Sequence, residues 1–264
     1  MLGEGNVEFT EQNANGDSPT CATIINGFVS SNVDLILANA TASLQAAQAG
    51  TNEIPVLGTS VTEYGVALGI SDFNGTVGGN ISGTSDLAPL DEQAAMIKEL
   101  FPDKKNVGLL YCSAEPNSVY QVNIVREYLE GQGLTCTDYT FSDSNDLASV
   151  TQTACASSDV IYIPTDNTRR LLCLHHPQRG GACRGARHHR RHRHLLRLRR
   201  GRPGHRLLRT GPDHRRDGLR NPGRGADPAT MEVRSAPTPT KMYNPSICEE
   251  LGITPPEDYT ALES

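Results

Sequence analysis

Several residue types are scarce or missing in this sequence of 264 residues. It contains no tryptophan, and aromatic residues make up only 5% of it. No stretch approaches the roughly 20 consecutive apolar residues that a membrane-spanning helix needs, so we predict no such helix. Outside residues 169–224 there is no histidine, which is the usual general base near neutral pH.

Motifs for catalysis are also absent. The sequence has no Gly-x-Ser-x-Gly, no phosphate-binding Walker loop, no His-Glu-x-x-His and no Gly-x-Gly-x-x-Gly. Its seven cysteines include no Cys-x-x-Cys pair of the kind that holds zinc. We therefore expect a protein that is not an enzyme, and we predict no metal site and no cofactor.

The net charge of −6 conceals two populations of residues. Residues 169–224 contain 18 of the 20 arginines and all eight histidines, but only Asp213 and Asp217 as acids. The remainder of the chain is strongly acidic, which argues against nucleic acid as its native partner. We call residues 169–224 the Arg block.

The Arg block has two interpretations. It consists mainly of amino acids with GC-rich codons and contains no valine, isoleucine, phenylalanine or tyrosine, so we favour an off-frame reading between two compensating frameshifts. Translation of the coding DNA in the other frames checks this. The alternative is a nucleic-acid-binding insert, since Arg187–Arg200 holds seven arginines and four histidines. As written, the Arg block is predicted to be disordered or loosely helical, without strands.

Hydrophobic periodicity elsewhere predicts alternating strands and helices. Apolar residues from Ile24 to Val29 have helical spacing, and a strand at Val33–Ala38, a helix at Thr41–Ala49 and a strand at Ile54–Gly58 follow as a β-α-β unit. A second series comprises helices at Asp91–Phe101, Asn117–Leu129 and Asp146–Ala156, and strands at Val107–Cys112, Cys136–Phe141 and Val160–Pro164. The pattern predicts an α/β, doubly wound architecture with two lobes.

Less regular segments connect and flank these two series. Val7–Glu11 alternates apolar and polar residues as a strand does, and the Gly/Ser/Thr-rich stretch Asn74–Ser85 is predicted to link the two lobes. Near the end, Met231–Arg234 is a predicted strand and Asn244–Gly252 a capped short helix. The prolines at 255 and 256 are expected to end the regular structure.

Short polar side chains follow four of the predicted strands, in residues 39–41, 59–62, 113–118 and 165–168. Ligands of open parallel sheets bind beyond the carboxyl ends of the strands. Hydroxyl and N–H groups can hold a carboxylate there, and Glu115 or Asp166 can hold an ammonium group, which favours a small zwitterion. The alternative is a set of helix caps, with Thr41 and Asn117 as the best candidates and Glu115 as the least cap-like.

Five segments resemble substrate-binding proteins of ABC transporters, in the branch associated with tryptophan and tyrosine uptake. They begin at Ile36 (ILANAT), Ile54 (IPVLGTSVT), Asn80 (NISGTSD), Val107 (VGLLYCSAEPNS) and Ile163 (IPTDNT). The resemblance covers residues 5–168 and resumes near Gly225. It implies two Rossmann-like lobes of the periplasmic binding protein type I kind that close on a ligand. The ligand-binding residues it implies are Asn39, Thr41, Thr59, Ser60, Ser113, Glu115, Asn117, Ser118, Asp166 and Asn167.

The resemblance also implies a domain organisation that is truncated at the N-terminus. Residues 1–85 form an N-terminal lobe that lacks its first strand and helix, and residues 86–168 form a C-terminal lobe. The Arg block at 169–224 interrupts the second lobe, and residues 225–264 return to the lobes as a strand and tail. The opening Met-Leu-Gly-Glu is no signal peptide, and we expect Met1 to be internal to a longer protein.

The function implied by the resemblance is that of an extracytoplasmic solute receptor of an ABC importer. Its expected partners are a small amino-acid-like ligand, with an aromatic amino acid favoured, and an ABC permease, but no nucleic acid. Such proteins lie at the extracellular face of the membrane or in the periplasm, and touch the membrane only through a lipid anchor that this chain lacks. The alternatives are a ligand-sensing regulatory domain of the same fold and the nucleic-acid-binding insert.

Overall fold

A computed structural model of the chain describes residues 7–142, 145–166, 227–235 and 240–262, together with a strand at 196–199. The chain divides into two units. The first comprises Met1–Leu87 and Gly201–Pro237, and the second comprises Ala88–Arg200 and Thr238–Ser264. Among the described residues, no helix combines the length and hydropathy needed to cross a membrane.

The first unit contains a four-stranded sheet in which every neighbouring pair of strands is parallel. Its strands are, in spatial order, β1 (Ile36–Asn39), β2 (Val56–Val61), β3 (Ile81–Ser85) and β8 (Arg234–Ser235). Its helices are α1 (Ser18–Ser30), α2 (Thr41–Gly50) and α3 (Tyr64–Leu68). One apolar cluster joins these elements, and its members include Ile25, Leu44 and Val56.

Tyr64 fixes the spacing of β2 and β3 at the centre of this unit. Its side chain is fully buried, and its hydroxyl donates to the carbonyl of Thr84 at 3.2 Å. Burial raises the pKa of the Tyr64 phenol well above its usual range, so the hydroxyl remains a donor at every physiological pH. A Cβ at Gly58 or at Gly83 would collide with the Tyr64 hydroxyl, so the two strands need glycine where the ring lies.

This arrangement predicts that Gly58→Ala lowers the free energy of unfolding by about 1–3 kcal/mol, because the added methyl group overpacks the Tyr64 site. Urea denaturation measures the effect. The matched control is Gly27→Ala in α1, where a Cβ would meet no described atom within 4 Å. That variant should be as stable as the parent or more so, because glycine disfavours helix interiors. Equal stability of the two variants would contradict the role of Tyr64.

The second unit is built on a three-stranded parallel sheet. Strand β4 (Asn106–Cys112) lies between β5 (Thr135–Phe141) and β6 (Val160–Tyr162). Its helices are α4 (Leu90–Leu100), α5 (Pro116–Gly131) and α6 (Leu147–Ser157). Helix α5 buries Val122, Val125 and Leu129 along one stripe.

The C-terminal segment attaches to helix α4 of the same unit. It contains β9 (Thr240–Tyr243), α7 (Pro245–Leu251) and β10 (Thr260–Ala261). Tyr259 packs with Met96 and Leu100 and donates its hydroxyl to Glu99 Oε2 at 2.8 Å, while Lys241 pairs with Glu99 at 3.4 Å. Apolar burial and paired charges therefore hold the tail in place. Regular structure continues beyond the prolines at 255 and 256, so the prediction that it ends there is wrong.

Most of the predicted helices and strands are confirmed, with ends that move by a few residues, but three segments differ. The predicted linker Asn74–Ser85 contains β3, an interior strand of the first sheet. The predicted strand at Val7–Glu11 is not a strand, and Phe9 is 81% exposed. An alternating pattern requires a partner strand to form a ladder, and the described residues supply none here. The predicted strand Met231–Arg234 is reduced to β8 and one bridge at Glu232.

Most of the Arg block lies outside the described residues, so its predicted disorder or loose helix is not described. Leu196–Arg199 is the exception. It forms β7, which pairs antiparallel with β9. The expectation that the block contributes no strand is wrong at this point, because ladder hydrogen bonds use backbone groups that do not depend on β-branched side chains.

Candidate functional site

Strands β4 and β6 are parallel neighbours, so the loops that follow them begin at the same edge of the second sheet. The loop after β4 carries Ser113 and Glu115 and leads into α5, and the segment after β6 carries Thr165 and Asp166. The structure brings five of the predicted residues together here: Ser113, Glu115, Asn117, Ser118 and Asp166. The tenth predicted residue, Asn167, lies outside the described residues.

Asp166 ties the segment after β6 to both β4 and α5. Its Oδ2 accepts one hydrogen bond from the backbone N–H of Cys112 at 2.9 Å and another from the hydroxyl of Ser118 at 2.9 Å. Ser118 is completely buried. Hydrogen bonds to a charged carboxylate are stronger than those between neutral groups, so this contact fixes the start of α5 against the sheet edge.

Gln121 makes a second connection between the same elements, and the sequence did not single it out. Its Nε2 donates to the carbonyl of Thr165 at 2.9 Å, and its Oε1 accepts from the N–H of Thr165 at 3.1 Å. A signal was present in the sequence. Asn117, Ser118 and Gln121 share one helix face, next to the apolar stripe that begins at Val122. Buried polar side chains on such a face need polar partners.

Asn117 is buried but is not a helix cap. Glu115 occupies the N-cap position of α5, and Asn117 is the second residue of the helix. The Asn117 amide nitrogen donates to the Thr165 carbonyl at 3.2 Å and lies 3.4 Å from Glu115 Oε2. Among the described residues, no donor reaches its Oδ1. The cap alternative for Asn117 is therefore wrong. Its amide oxygen is a buried acceptor, and its amide nitrogen lies near the Glu115 carboxylate.

Ser113 and Glu115 are less enclosed than the residues of α5. Ser113 is exposed, and its N–H and its hydroxyl both donate to the carbonyl of Phe141, at 2.9 and 3.3 Å. Glu115 is half-buried. With Glu115 and Asp166 at one edge, this end of the second unit is anionic, which suits a cationic group of a ligand.

In the first unit the predicted residues lie at the carboxyl ends of β1 and β2. Asn39 stands beside Thr59 in the parallel register, and the N–H of Ala40 donates to the Thr59 carbonyl at 2.9 Å. Thr41 is buried and begins α2, whose N-cap position belongs to Ala40, so the cap alternative for Thr41 is wrong as well. No described side chain caps α2, which leaves the N–H groups of its first turn for other acceptors.

Thr59 and Ser60 lie within β2 and not after it, which corrects the predicted strand end at Gly58. The register between β2 and β3 shifts between Gly58 and Val61, and Ser60 has a φ of +55°. A bulge of this kind lets pairing resume while it turns a side chain in a new direction. The strand therefore continues past residues that propensity assigns to a loop.

The contacts of Ser118 predict that Ser118→Ala lowers the free energy of unfolding by roughly 1–3 kcal/mol, because the half-buried Asp166 carboxylate loses a hydroxyl donor. Thermal denaturation measures the loss. Ser149→Ala is the control, since Ser149 is an exposed serine on α6 that donates to the Asp146 carbonyl. An equal change in both variants would show that the Ser118 contact adds nothing to stability.

An α/β fold with parallel sheets and polar side chains after their strands defines a class of ligand-binding proteins. Residues 3–170 match the model of the ABC transporter substrate binding protein family, and the chain belongs to this family. The match confirms the resemblance found in the sequence. The family is one of substrate-binding proteins of a transporter and is not defined by an enzymatic reaction.

A tyrosine-binding protein of Clostridioides difficile (strain R20291) is 36% identical over 162 residues, which are 61% of this chain and 47% of that protein. The match thus spans about half the length of this curated relative.

Solved structures confirm the α/β fold of the periplasmic binding protein type I kind. The chain is similar to an ABC domain in complex with L-Trp from Streptococcus pneumoniae, with 28% identity, a TM-score of 0.79 and coverage of 96% of this chain and 88% of that one. It is also similar to a conserved domain protein from Vibrio cholerae, with 26% identity and a TM-score of 0.80. That match covers 98% of this chain and 88% of the other. A third similar structure is the ligand-free, open form of a substrate binding protein with adhesive properties from Clostridium difficile. It has 26% identity and a TM-score of 0.67, and the match covers 99% of this chain and 89% of the other.

Proposed function

We propose that this protein is a solute receptor of an ABC importer and that its ligand is an aromatic L-amino acid. The family membership supports the receptor role. The relatives support the ligand class, because one is described as tyrosine-binding and another is in complex with L-Trp. The observation that carries the proposal is the anionic edge of the second sheet. Glu115, Asn117 and Asp166 lie there, and hydrogen bonds hold the segment after β6 against α5.

The second unit offers acceptors for an ammonium group. An amino acid carries its positive charge on a small group with three N–H donors. The Asn117 Oδ1 is a buried acceptor whose orientation is set by the bond from its own amide nitrogen to the Thr165 carbonyl. The Glu115 carboxylate lies 3.4 Å from the amide nitrogen of the same side chain. We assign Ser113, Glu115, Asn117, Ser118, Asp166 and Asn167 to ligand recognition in this unit, either directly or by holding the groups that touch the ligand.

The first unit offers donors for a carboxylate group. The first turn of α2 presents backbone N–H groups, and helix N-termini attract anions through these groups and the helix dipole. Side-chain hydroxyl and amide groups lie at the same strand ends. We assign Asn39, Thr41, Thr59 and Ser60 to this role.

The proposed setting follows from the family. The receptor acts at the extracellular face of the membrane or in the periplasm and delivers its ligand to an ABC permease. A lipid anchor is its only proposed contact with the membrane. Nucleic acid is not a proposed partner, because the chain outside the Arg block is strongly acidic.

Isothermal titration of the full chain with L-Trp, L-Tyr and L-Phe tests the ligand class. We expect saturable binding of at least one of the three, and none of L-alanine, which has the same charged groups without a ring. N-acetyl-L-tryptophan, which lacks the ammonium charge, should bind at least tenfold more weakly than L-Trp. Equal binding of the acetylated compound would contradict the ammonium assignment, and the absence of binding by all three would contradict the proposed function.

Glu115→Gln tests the anionic edge by removing one carboxylate charge without changing the size of the side chain. We expect the Kd for the bound amino acid to rise roughly tenfold, because an ion pair with the ammonium group is lost. Glu127→Gln is the matched control, since Glu127 is exposed on α5. A similar rise in both variants would reduce the effect to overall charge, and no rise in either would exclude Glu115 from the site.

A further inference from the structure

We propose that Gln121 is a positioning residue, which holds the Thr165–Asp166 segment and the side chain of Asn117 in the arrangement that the ligand meets. The inference rests on the proposed function in one respect, namely that this edge of the sheet binds the ligand. The positioning itself depends on contacts within the chain that do not involve a ligand.

The primary amide of Gln121 pairs with the backbone of Thr165 at two points, as a neighbouring strand would. Strand β6 ends at Tyr162, so Thr165 lies beyond the ladder with β4. The Gln121 side chain replaces the hydrogen bonds of the ladder. Its Oε1 accepts from the Thr165 N–H at 3.1 Å, and its Nε2 donates to the Thr165 carbonyl at 2.9 Å. Gln121 is 1% exposed, so its amide depends on these partners and not on water.

The orientation of this amide is fixed by its partners. Nε2 also donates to the carbonyl of Asn117 at 3.0 Å, so both of its hydrogens are used and both face carbonyl oxygens. Rotation of the amide by 180° would place a donor against the Thr165 N–H and an acceptor against two carbonyls. Gln121 therefore has one satisfied orientation, and Thr165 is held in one position relative to α5.

Two groups of the proposed site depend on that position. The Thr165 carbonyl also accepts from the Asn117 amide nitrogen, which determines where the Asn117 Oδ1 lies. Asp166 follows Thr165 directly and accepts from the Cys112 N–H and from Ser118. The Gln121 side chain bonds to Asn117 and Thr165, so we expect its effect on Asp166 and on the Cys112 N–H to pass through Thr165.

A purely apolar packing role does not account for a glutamine at this position. The neighbouring buried residues of α5 are Val122, Val125 and Leu129, and an apolar side chain of similar length would continue their stripe. Burying a primary amide is unfavourable unless every polar atom is bonded. All of the bonds that satisfy the Gln121 side chain go to Asn117 and Thr165, which points to the loop and not to the core as the reason for this residue.

Amide hydrogen exchange of the full chain, with Gln121→Met as the variant, tests the proposal. Methionine has nearly the same volume and cannot pair with Thr165. We expect exchange at both the Thr165 and the Cys112 N–H to become roughly tenfold faster, while the amides in the middle of β4 keep their protection. The Kd for the amino acid that binds the parent protein should rise by a similar factor. Asn123→Ala, an exposed change on α5, is the control and should alter none of these.

The outcomes separate positioning from mere stability and from the proposed function. Faster exchange at Thr165 with no change at Cys112 would overturn the proposal, and so would a uniform increase across β4, β5 and β6. The coupled increase at Thr165 and Cys112 supports it even if the parent protein binds no amino acid, in which case only the ligand assignment fails. Should Gln121→Met not fold, Gln121→Asn, whose amide is one methylene too short, is expected to give the same coupled pattern, and unchanged exchange in it would overturn the proposal.

Discussion

Parallel pairing of β4 with β6 is the constraint on which the candidate site depends. It places the end of one strand and the segment after the other at the same sheet edge, so the Cys112 N–H can donate to Asp166 across 54 positions of sequence. Helix α5 starts at that edge because it follows β4 after a short loop. Its first two turns then contribute Ser118 and Gln121 to the same group of bonds. Antiparallel pairing would put these ends at opposite edges.

Burial gives these polar contacts their effect. Ser118 and Gln121 are buried and Asp166 is half-buried, and a buried polar group that loses its partner is costly. The first unit uses the same principle at Tyr64, whose buried hydroxyl donates to the Thr84 carbonyl while its ring occupies the space left by two glycines. In each unit, one buried polar side chain links elements that are distant in sequence, close to the strand ends that carry the proposed ligand-binding residues.

The receptor interpretation combines this geometry with the relatives. The chain belongs to a family of substrate-binding proteins, and two relatives support the proposal that its ligand is an aromatic amino acid. The geometry supports the proposal for the groups that meet the ligand. Carboxylates and an amide oxygen lie at the edge of the second sheet, and N–H groups begin α2 in the first unit.

The sequence by itself determined the family and most of the helices and strands from Ile24 to Tyr162, because periodicity and short motifs are local properties. It missed β3, since a glycine- and serine-rich strand has no alternating pattern. It wrongly predicted a strand at Val7–Glu11, since an alternating pattern does not ensure a partner strand. Only the tertiary structure decided that Asn117 and Thr41 are not caps and that β2 continues through a bulge at Ser60. It also decided that Gln121 forms hydrogen bonds with the backbone of Thr165. These depend on contacts between residues far apart in the chain, which become definite only when parallel strands and their helices pack together.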